Sequence, residues 1–178
     1  MNDRILCTLM PRLAGCLLAC ASASAQAQSL PAETCNNPVL PATTPSTEFI
    51  VVDDGSVIRH EVTGLEWQRC SIGQSWDGTM CQGSATFHSW QEALNIAANA
   101  GGDWRLPNIK ELRTIVERCR ENPAINRQAF PNTPSRTFWS ASPEAGGSAF
   151  AWFVNFRDGR GDLGSRGSRW VRLVRGGP

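Results

Sequence analysis

The sequence predicts an α+β domain in which two short helices pack on a mainly antiparallel, twisted sheet with long loops. Its 178 residues, 41% hydrophobic and 19% charged, are enough for one modest folded domain. Sixteen Gly and eleven Pro indicate many turns rather than a helical bundle. Two helix-capping signals stand in the middle of the chain, between groups of short, strand-like apolar segments.

The first 25 residues are predicted to be a secretory signal peptide. Arg4 and Arg12 precede the apolar run 13–21, and the small residues Ala23-Ser24-Ala25 follow it. The run is too short to cross a bilayer, which requires about 20 apolar residues. We therefore expect export and no transmembrane segment.

Two positions are considered for signal-peptide cleavage, and lipid attachment at a cysteine is a less favoured form of processing. Cleavage is expected after Ala25, with Ala27 as the alternative. Cys16 and Cys20 each end a tetrapeptide that resembles a bacterial lipobox, in which the Cys becomes an acylated first residue. A lipid anchor is less favoured because the apolar stretch before either Cys is short. The expected location is outside the cell, in the periplasm or in the cell envelope.

Four cysteines remain in the expected mature chain: Cys35, Cys70, Cys81 and Cys119. In an exported chain, four thiols indicate two disulfides, and a zinc site is disfavoured because the short paired spacings of zinc ligands are missing. Three pairings are possible. We prefer Cys70–Cys81, which closes a polar loop, with Cys35 joined to Cys119.

The mature chain is predicted to begin with an arm and to continue into a hairpin. Residues 26–48 are rich in Pro, Ala, Thr and Ser, and we expect an extended arm ordered mainly by Cys35. The folded domain is predicted to span residues 49–178. Its first part contains a turn at Asp53-Asp54-Gly55 and strand-like segments at 49–52, 57–61 and 65–68.

Two amphipathic helices are predicted from their start signals. Ser89-x-x-Glu92 and Asn108-x-x-Glu111 are capping boxes, and the first helix is expected to stop at Gly101-Gly102. The spacing of the apolar residues predicts one buried face on each helix. These faces comprise Trp90, Ala93, Leu94 and Ala97 in the first helix, and Ile109, Leu112, Ile115 and Val116 in the second.

The chain is expected to be rich in strands after residue 120. Strand-like segments lie at 137–141, 149–156 and 170–175. The middle segment is apolar on both faces, which predicts a central strand covered on each side.

Six short motifs carry a family resemblance. They are Thr63-Gly64-Leu65-Glu66-Trp67-Gln68, Trp90-Gln91-Glu92-Ala93-Leu94, Asp103-Trp104-Arg105-Leu106-Pro107-Asn108-Ile109-Lys110-Glu111-Leu112, Asn122-Pro123-Ala124-Ile125-Asn126, Phe138-Trp139-Ser140-Ala141-Ser142 and Val171-Arg172-Leu173-Val174-Arg175-Gly176. With these motifs, residues 50–177 resemble the Lcl C-terminal domain family, named after the last domain of a collagen-like bacterial adhesin. The resemblance implies a C-type-lectin-like fold, distantly similar to the formylglycine-generating fold. The namesake is implicated in attachment to sulfated glycosaminoglycans, but this chain lacks its collagen-like repeats.

Residues 157–169 are predicted to form a Gly-rich loop that carries a basic patch. Planar guanidinium groups suit sulfate, carboxylate or phosphate, and Arg172 and Arg175 follow on the next strand. The alternative is a solvated loop in which Arg and Asp pair with one another, and the tripeptide Arg160-Gly161-Asp162 is attributed to chance. The candidate ligand contacts are Arg157, Asp158, Arg160, Asp162, Arg166 and Arg169.

Two of the seven Trp residues are candidate ligand contacts. Trp76 lies in the polar loop between two cysteines, and Trp139 is a weaker second candidate. An exposed indole can stack on a sugar ring. The other Trp residues lie in periodic segments and are predicted to be core: Trp67, Trp90, Trp104, Trp152 and Trp170.

Catalytic groups are weakly represented. His60 and His88 have no spacing to a nucleophile, and the acid pair Asp53-Asp54 lies in a turn. Asp103 and Arg105 are predicted to form an internal ion pair that fixes the loop between the helices. The two acid-containing triplets by which C-type lectins hold Ca²⁺ are missing, so we expect no metal and no cofactor.

The sequence therefore predicts an exported, non-catalytic recognition or adhesion domain that binds an anionic glycan or a surface protein. The formal charge of +1 argues against a nucleic-acid partner. One alternative is a structural envelope component, such as a lipoprotein, without a small ligand. An enzyme related to the formylglycine-generating fold is a minor alternative. The oligomeric state is left open.

Overall fold

A computed structural model describes residues 30–165 and 167–177, without the side chains of 147–149 and 165. The predicted signal peptide lies outside the described residues, with its Cys16, Cys20, Ala25 and Ala27, and so does Arg166. In the part of the chain that is described, no helix has the length and apolar character needed to span a bilayer.

The fold is α+β with mainly antiparallel sheets, as predicted. The helices are α1 (Trp90–Asn99) and α2 (Ile109–Arg113), and a 3-10 turn at Ser46–Glu48 precedes the first strand. The strands are β1 (Phe49–Val52), β2 (Val57–His60), β3 (Leu65–Gln68), β4 (Ser75–Trp76), β5 (Cys81–Gln82), β6 (Phe87–His88), β7 (Thr137–Glu144), β8 (Gly147–Asn155), β9 (Arg160–Ser165), β10 (Arg169–Trp170) and β11 (Val174–Gly176).

The first sheet has the strand order β1-β2-β3-β11, and its neighbouring strands are antiparallel. The predicted hairpin is confirmed, with Asp53 and Gly55 of the turn in the left-handed region at φ 54° and 92°. The single C-terminal strand predicted at 170–175 is wrong. The segment divides into β10 and β11 in different sheets, because the buried side chain of Arg172 ties the connection to the backbone of residues 68–69.

The second sheet has the order β6-β10-β7-β8-β9, so β8 lies between two other strands, as predicted. Val154 belongs to one apolar cluster and Ala151 to another, which explains why this strand is apolar on both faces. The loop predicted at 157–169 is wrong over residues 160–165, which form β9. Gly161 and Gly164 allow close packing here, because a Cβ on either would collide with an arginine side chain.

Both capping boxes are confirmed, but α2 is shorter than predicted. Ser89 and Asn108 each accept the N–H of the Glu three residues later, whose carboxylate accepts the cap N–H in return. Because α2 ends at Arg113, Ile115 and Val116 do not extend its face. They pack in the core immediately after the helix.

The ion pair predicted between Asp103 and Arg105 is wrong. Arg105 donates two hydrogen bonds of 2.7 Å to the carboxylate of Glu111. Glu111 is held at the start of α2 by its capping box with Asn108, which presents both carboxylate oxygens to Arg105. The loop between the helices is therefore fixed by an ion pair between Arg105 of the loop and Glu111 of α2.

Both preferred disulfides are confirmed. Cys35 pairs with Cys119 and Cys70 with Cys81, with Cα–Cα distances of 5.1 and 5.4 Å. These two bonds fit an extracellular or envelope protein.

The N-terminal arm is held by more than its disulfide. The buried carboxylate of Glu33 pairs with Arg120 at 2.6 Å. The buried carboxylate of Glu117 accepts the N–H groups of Thr43, Thr44 and Cys119 at 2.8–2.9 Å. Buried charges that are paired and hydrogen-bonded fix the path of a chain that has few apolar residues.

We expect Glu117→Gln to destabilise the protein by about 2 kcal/mol at pH 7, because the buried N–H donors lose a charged acceptor. Burial raises the pKa of Glu117, but its hydrogen bonds outweigh that effect and hold the pKa below the ordinary 4.5. A depressed folded-state pKa gives stability above the unfolded pKa that is lost as the pH falls through the folded one. The difference in urea-unfolding free energy between wild type and variant should therefore shrink from pH 7 to pH 3.

The exposed neighbour Glu121 supplies the control, since Glu121→Gln should change stability by less than about 0.5 kcal/mol at either pH. A difference for Glu117→Gln that stays constant over this pH range would contradict the role of the ionised carboxylate.

Candidate functional site

An open groove of about 700 Å³ lies beside the turn that joins β8 to β9. Two guanidinium groups, three primary amides and one indole contribute to its lining, together with small residues, and no described lining residue is acidic. These polar and aromatic residues are Gln74, Asn122, Asn132, Arg136, Arg157 and Trp170. We call this site the arginine groove.

The two arginines of the arginine groove are anchored through their backbones. The carbonyl of Arg136 accepts the N–H of Phe156 at 2.8 Å, and the carbonyl of Arg157 accepts the N–H of Asn122 at 2.9 Å. Both side chains are exposed, and neither forms an ion pair with any residue that the structure describes. The groove therefore offers two positive charges that no described carboxylate neutralises.

The amide side of the arginine groove is tied to the Cys70–Cys81 loop. Asn132 donates to the carbonyl of Cys81 at 2.8 Å, and Gln74 donates to the carbonyl of Asn132 at 3.2 Å. The aromatic side consists of Trp170 on β10, whose ring lies 5.6 Å from that of Phe87. Phe87 is 62% exposed, so the aromatic pair extends to the surface.

A second cavity of about 380 Å³ adjoins the arginine groove, and Gln74 lines both. Trp76 and Trp104 also line it, and each indole is covered by a guanidinium, Arg69 at 4.1 Å and Arg175 at 4.6 Å from the ring centroid. Trp76 is thus half-buried in the wall of a cavity.

A family model described as the Lcl C-terminal domain matches residues 56–175. The chain belongs to the Lcl C-terminal domain family. Membership of this family indicates a surface-associated, adhesin-like domain. The matched range contains all six named residues of the arginine groove, whereas Cys35 of the arm lies before it. No curated protein was found to match the chain.

The structure of this Lcl C-terminal domain contradicts an exposed role for Trp139. Its side chain is 1% exposed, and its indole N–H donates to the carbonyl of His88 at 2.9 Å. Arg169 lies between Trp139 and Phe153, with its guanidinium carbon 4.1 Å from both ring centroids. These two contacts make Arg169 part of the packing rather than a free surface charge, and its burial lowers its pKa.

The prediction that the basic patch continues onto the last strand is wrong. Arg172 is fully buried, and Arg175 pairs with Glu66 at 2.7 Å and with Asp53 at 3.1 Å. The hydrogen bond to Glu66, together with the charges of both carboxylates, raises the pKa of Arg175. A buried or doubly paired arginine is poorly available to a ligand in solvent.

The other predicted contacts lie at two places. Arg157 lines the arginine groove, whereas Arg160 and Asp162 lie on β9 and Asp158 on the turn before it. The structure therefore does not join Trp76 and the Arg-rich segment into one site. Arg166 lies outside the described residues.

Neither histidine of this Lcl C-terminal domain contributes to the arginine groove. His60 is buried, bonds to Glu48 at 3.3 Å and to Thr63 at 3.1 Å, and stacks on Phe49. His88 bonds to Thr86 at 2.8 Å. Over residues 30–165 and 167–177, no three His, Cys, Asp or Glu side chains converge as metal ligands would.

Proposed function

We propose that this domain is an exported, non-catalytic recognition module that binds an anionic glycan in the arginine groove. The observation that carries the proposal is the pair Arg136 and Arg157, which lie in one groove lined by amides and by no described acidic residue. Guanidinium groups bind sulfate and carboxylate in a bidentate way, which provides orientation as well as attraction.

The other lining residues suit the uncharged parts of a sugar. The amides of Asn122, Asn132 and Gln74 can exchange hydrogen bonds with hydroxyl groups, and the indole of Trp170 can stack on the C–H face of a ring. The groove is open and holds only two unneutralised charges, so the affinity of a single site should be modest.

The proposal includes a C-type-lectin-like architecture, secretion or attachment in the envelope, and binding that does not depend on calcium or another cofactor. Family membership, the two disulfides and the long connections between short strands support it. A surface protein with acidic side chains would satisfy the same guanidinium groups and is the alternative partner.

We expect the exported, oxidised protein to be retained on a heparin column at low salt, and Arg136→Ala/Arg157→Ala to weaken binding of a heparin oligosaccharide at least about tenfold. A hydrogen bond to a charged group contributes about 1.5–3 kcal/mol, and 1.4 kcal/mol is a factor of ten. Isothermal titration calorimetry at two salt concentrations measures the change, since screening weakens such contacts.

The matched control is Lys110→Ala/Arg118→Ala, which removes the same number of exposed positive charges away from the groove, and neither residue forms an ion pair with a residue that the structure describes. Its affinity should stay within about twofold of wild type. Absence of retention at low salt would reject the glycan hypothesis and favour the structural envelope component. Equal losses in both double variants would show that net charge, rather than the groove, causes retention.

A further inference from the structure

β9 is an edge strand with a regular, open side. It pairs with β8 over six consecutive residue pairs without a bulge, from Phe150↔Ser165 to Asn155↔Arg160. No strand in the described part of the chain pairs with its other side. An antiparallel edge strand leaves every second backbone N–H and C=O free to bond another strand.

Three of the devices that usually protect such an edge, Pro, Lys and a bulge, are missing from β9. Its residues Arg160–Ser165 contain neither Pro nor Lys, and its register with β8 has no irregularity, unlike that of β7 with β8. Gly161 has no side chain that would keep a neighbouring strand at a distance. The edge can therefore accept another extended strand at close range.

The charges on β9 are self-complementary. Arg160 and Asp162 are two residues apart, so their side chains lie on the same face of the strand. The Arg160 side chain is 87% exposed, and the carboxylate with which it pairs, that of Asp158, is 4.0 Å away. Asp162 is also solvent-accessible in part. Both charges are thus available to groups on a neighbouring strand.

We propose that two copies of this chain associate by antiparallel pairing of their β9 strands, with Gly161 on the two-fold axis. In this register Arg160 of each copy faces Asp162 of the other, which gives two opposite-charge cross-strand pairs. A register centred on Asp162 would instead oppose two carboxylates. The tripeptide Arg160-Gly161-Asp162 is then the smallest unit that pairs symmetrically with itself.

One feature of the opposite face limits the strength of the pairing. The guanidinium of Arg113 lies against Gly161, since a Cβ on this glycine would stand 2.6 Å from an Arg113 nitrogen. The two Arg113 side chains would approach each other near the axis and repel. Because the shared strands are also short, we expect a dissociation constant on the order of 100 µM.

Sedimentation equilibrium of the exported, oxidised protein from about 10 µM to 1 mM tests the proposal, with the dimer favoured at low salt. We expect Arg160→Asp and Asp162→Arg each to weaken dimerisation at least about tenfold. Either substitution places like charges opposite each other at both of the cross-strand pairs between residues 160 and 162. The double variant Arg160→Asp/Asp162→Arg restores both pairs and should return within about threefold of wild type. Arg113→Ala should strengthen the dimer.

A wild-type protein that remains monomeric at 1 mM would overturn the proposal, and so would a dimer that either single charge reversal leaves unchanged. Failure of the double variant to recover would also overturn the register centred on Gly161. Circular dichroism melting of each variant should match wild type within about 3 °C, since both side chains lie at the surface. The result is independent of heparin binding, because neither residue lines the arginine groove.

Discussion

Replacing Arg172 with Ala is expected to lower the free energy of unfolding by about 3–5 kcal/mol, one of the two largest effects that we expect from the structure. Arg172 is fully buried and donates to the carbonyl of Gln68 at 2.7 Å, to that of Arg69 and to the hydroxyl of Thr133 at 2.7 Å. Its guanidinium also lies 4.8 Å from the ring centroid of Phe130. Removal leaves buried acceptors without a donor and opens a cavity.

The cost should come from the lost hydrogen bonds as well as from the lost volume. Burial lowers the pKa of Arg172 to about 9, and the side chain is held by neutral carbonyl and hydroxyl groups. Arg172→Met, which keeps most of the volume, should therefore still destabilise the protein by about 2 kcal/mol or more in urea unfolding. The exposed Arg157→Ala serves as the control and should cost less than about 0.5 kcal/mol. Equal stability of Arg172→Met and wild type would show that these hydrogen bonds contribute nothing to folding.

Loss of the disulfide between Cys35 and Cys119 is expected to have an effect of similar size. The bond closes a sequence separation of 84 residues, for which the chain-entropy relation gives about 4.5 kcal/mol. We expect Cys35→Ser/Cys119→Ser to lose up to this amount in urea unfolding under oxidising conditions. Glu33–Arg120 and the contacts of Glu117 should keep part of the arm in place.

The second disulfide provides the matched comparison. Cys70–Cys81 closes a separation of only 11 residues, for which the same relation gives about 3 kcal/mol. Cys70→Ser/Cys81→Ser should therefore be the less destabilised double variant. The reverse order would indicate that the arm contributes little to the stability of the folded domain.

Local features of the fold could be predicted from the sequence because their signals are local. The capping boxes at Ser89 and Asn108 need only four residues each, and the first hairpin needs only a turn between apolar segments. The preference for Cys70–Cys81 rests on closure of a short loop, and it leaves one partner for Cys35. Each of these signals comes from residues that are close together in the chain.

Several features that depend on distant contacts could not be predicted. The glycines of 160–165 indicate a loop when they are considered alone, yet they are required because Arg113 and Arg169 pack against them. Trp139 is buried by contacts with segments far along the chain, and Arg172 is buried although it is charged. The residues of a segment do not by themselves show which side chains from distant parts of the chain will pack against it.

For the same reason, most residues of the arginine groove could not be predicted from the sequence. Arg157 is among the predicted contacts, but Arg136, Asn122 and Asn132 carry no spacing that connects them with it. The periodicity around Trp170 predicts a core residue instead of a groove residue. These residues meet only because the turn after β8, β10, the Cys70–Cys81 loop and the connection between α2 and β7 converge on one side of the domain.

The position of β11 determines when a nascent chain can complete its fold. β11 pairs with β3, and Arg175 bonds to Glu66 across 109 residues of sequence. Until residues 172–176 have emerged, β3 has an open side and Arg172 has not reached its acceptors. The emerging polypeptide should therefore stay protease-sensitive until β11 has emerged, because native pairing so distant in sequence forms late.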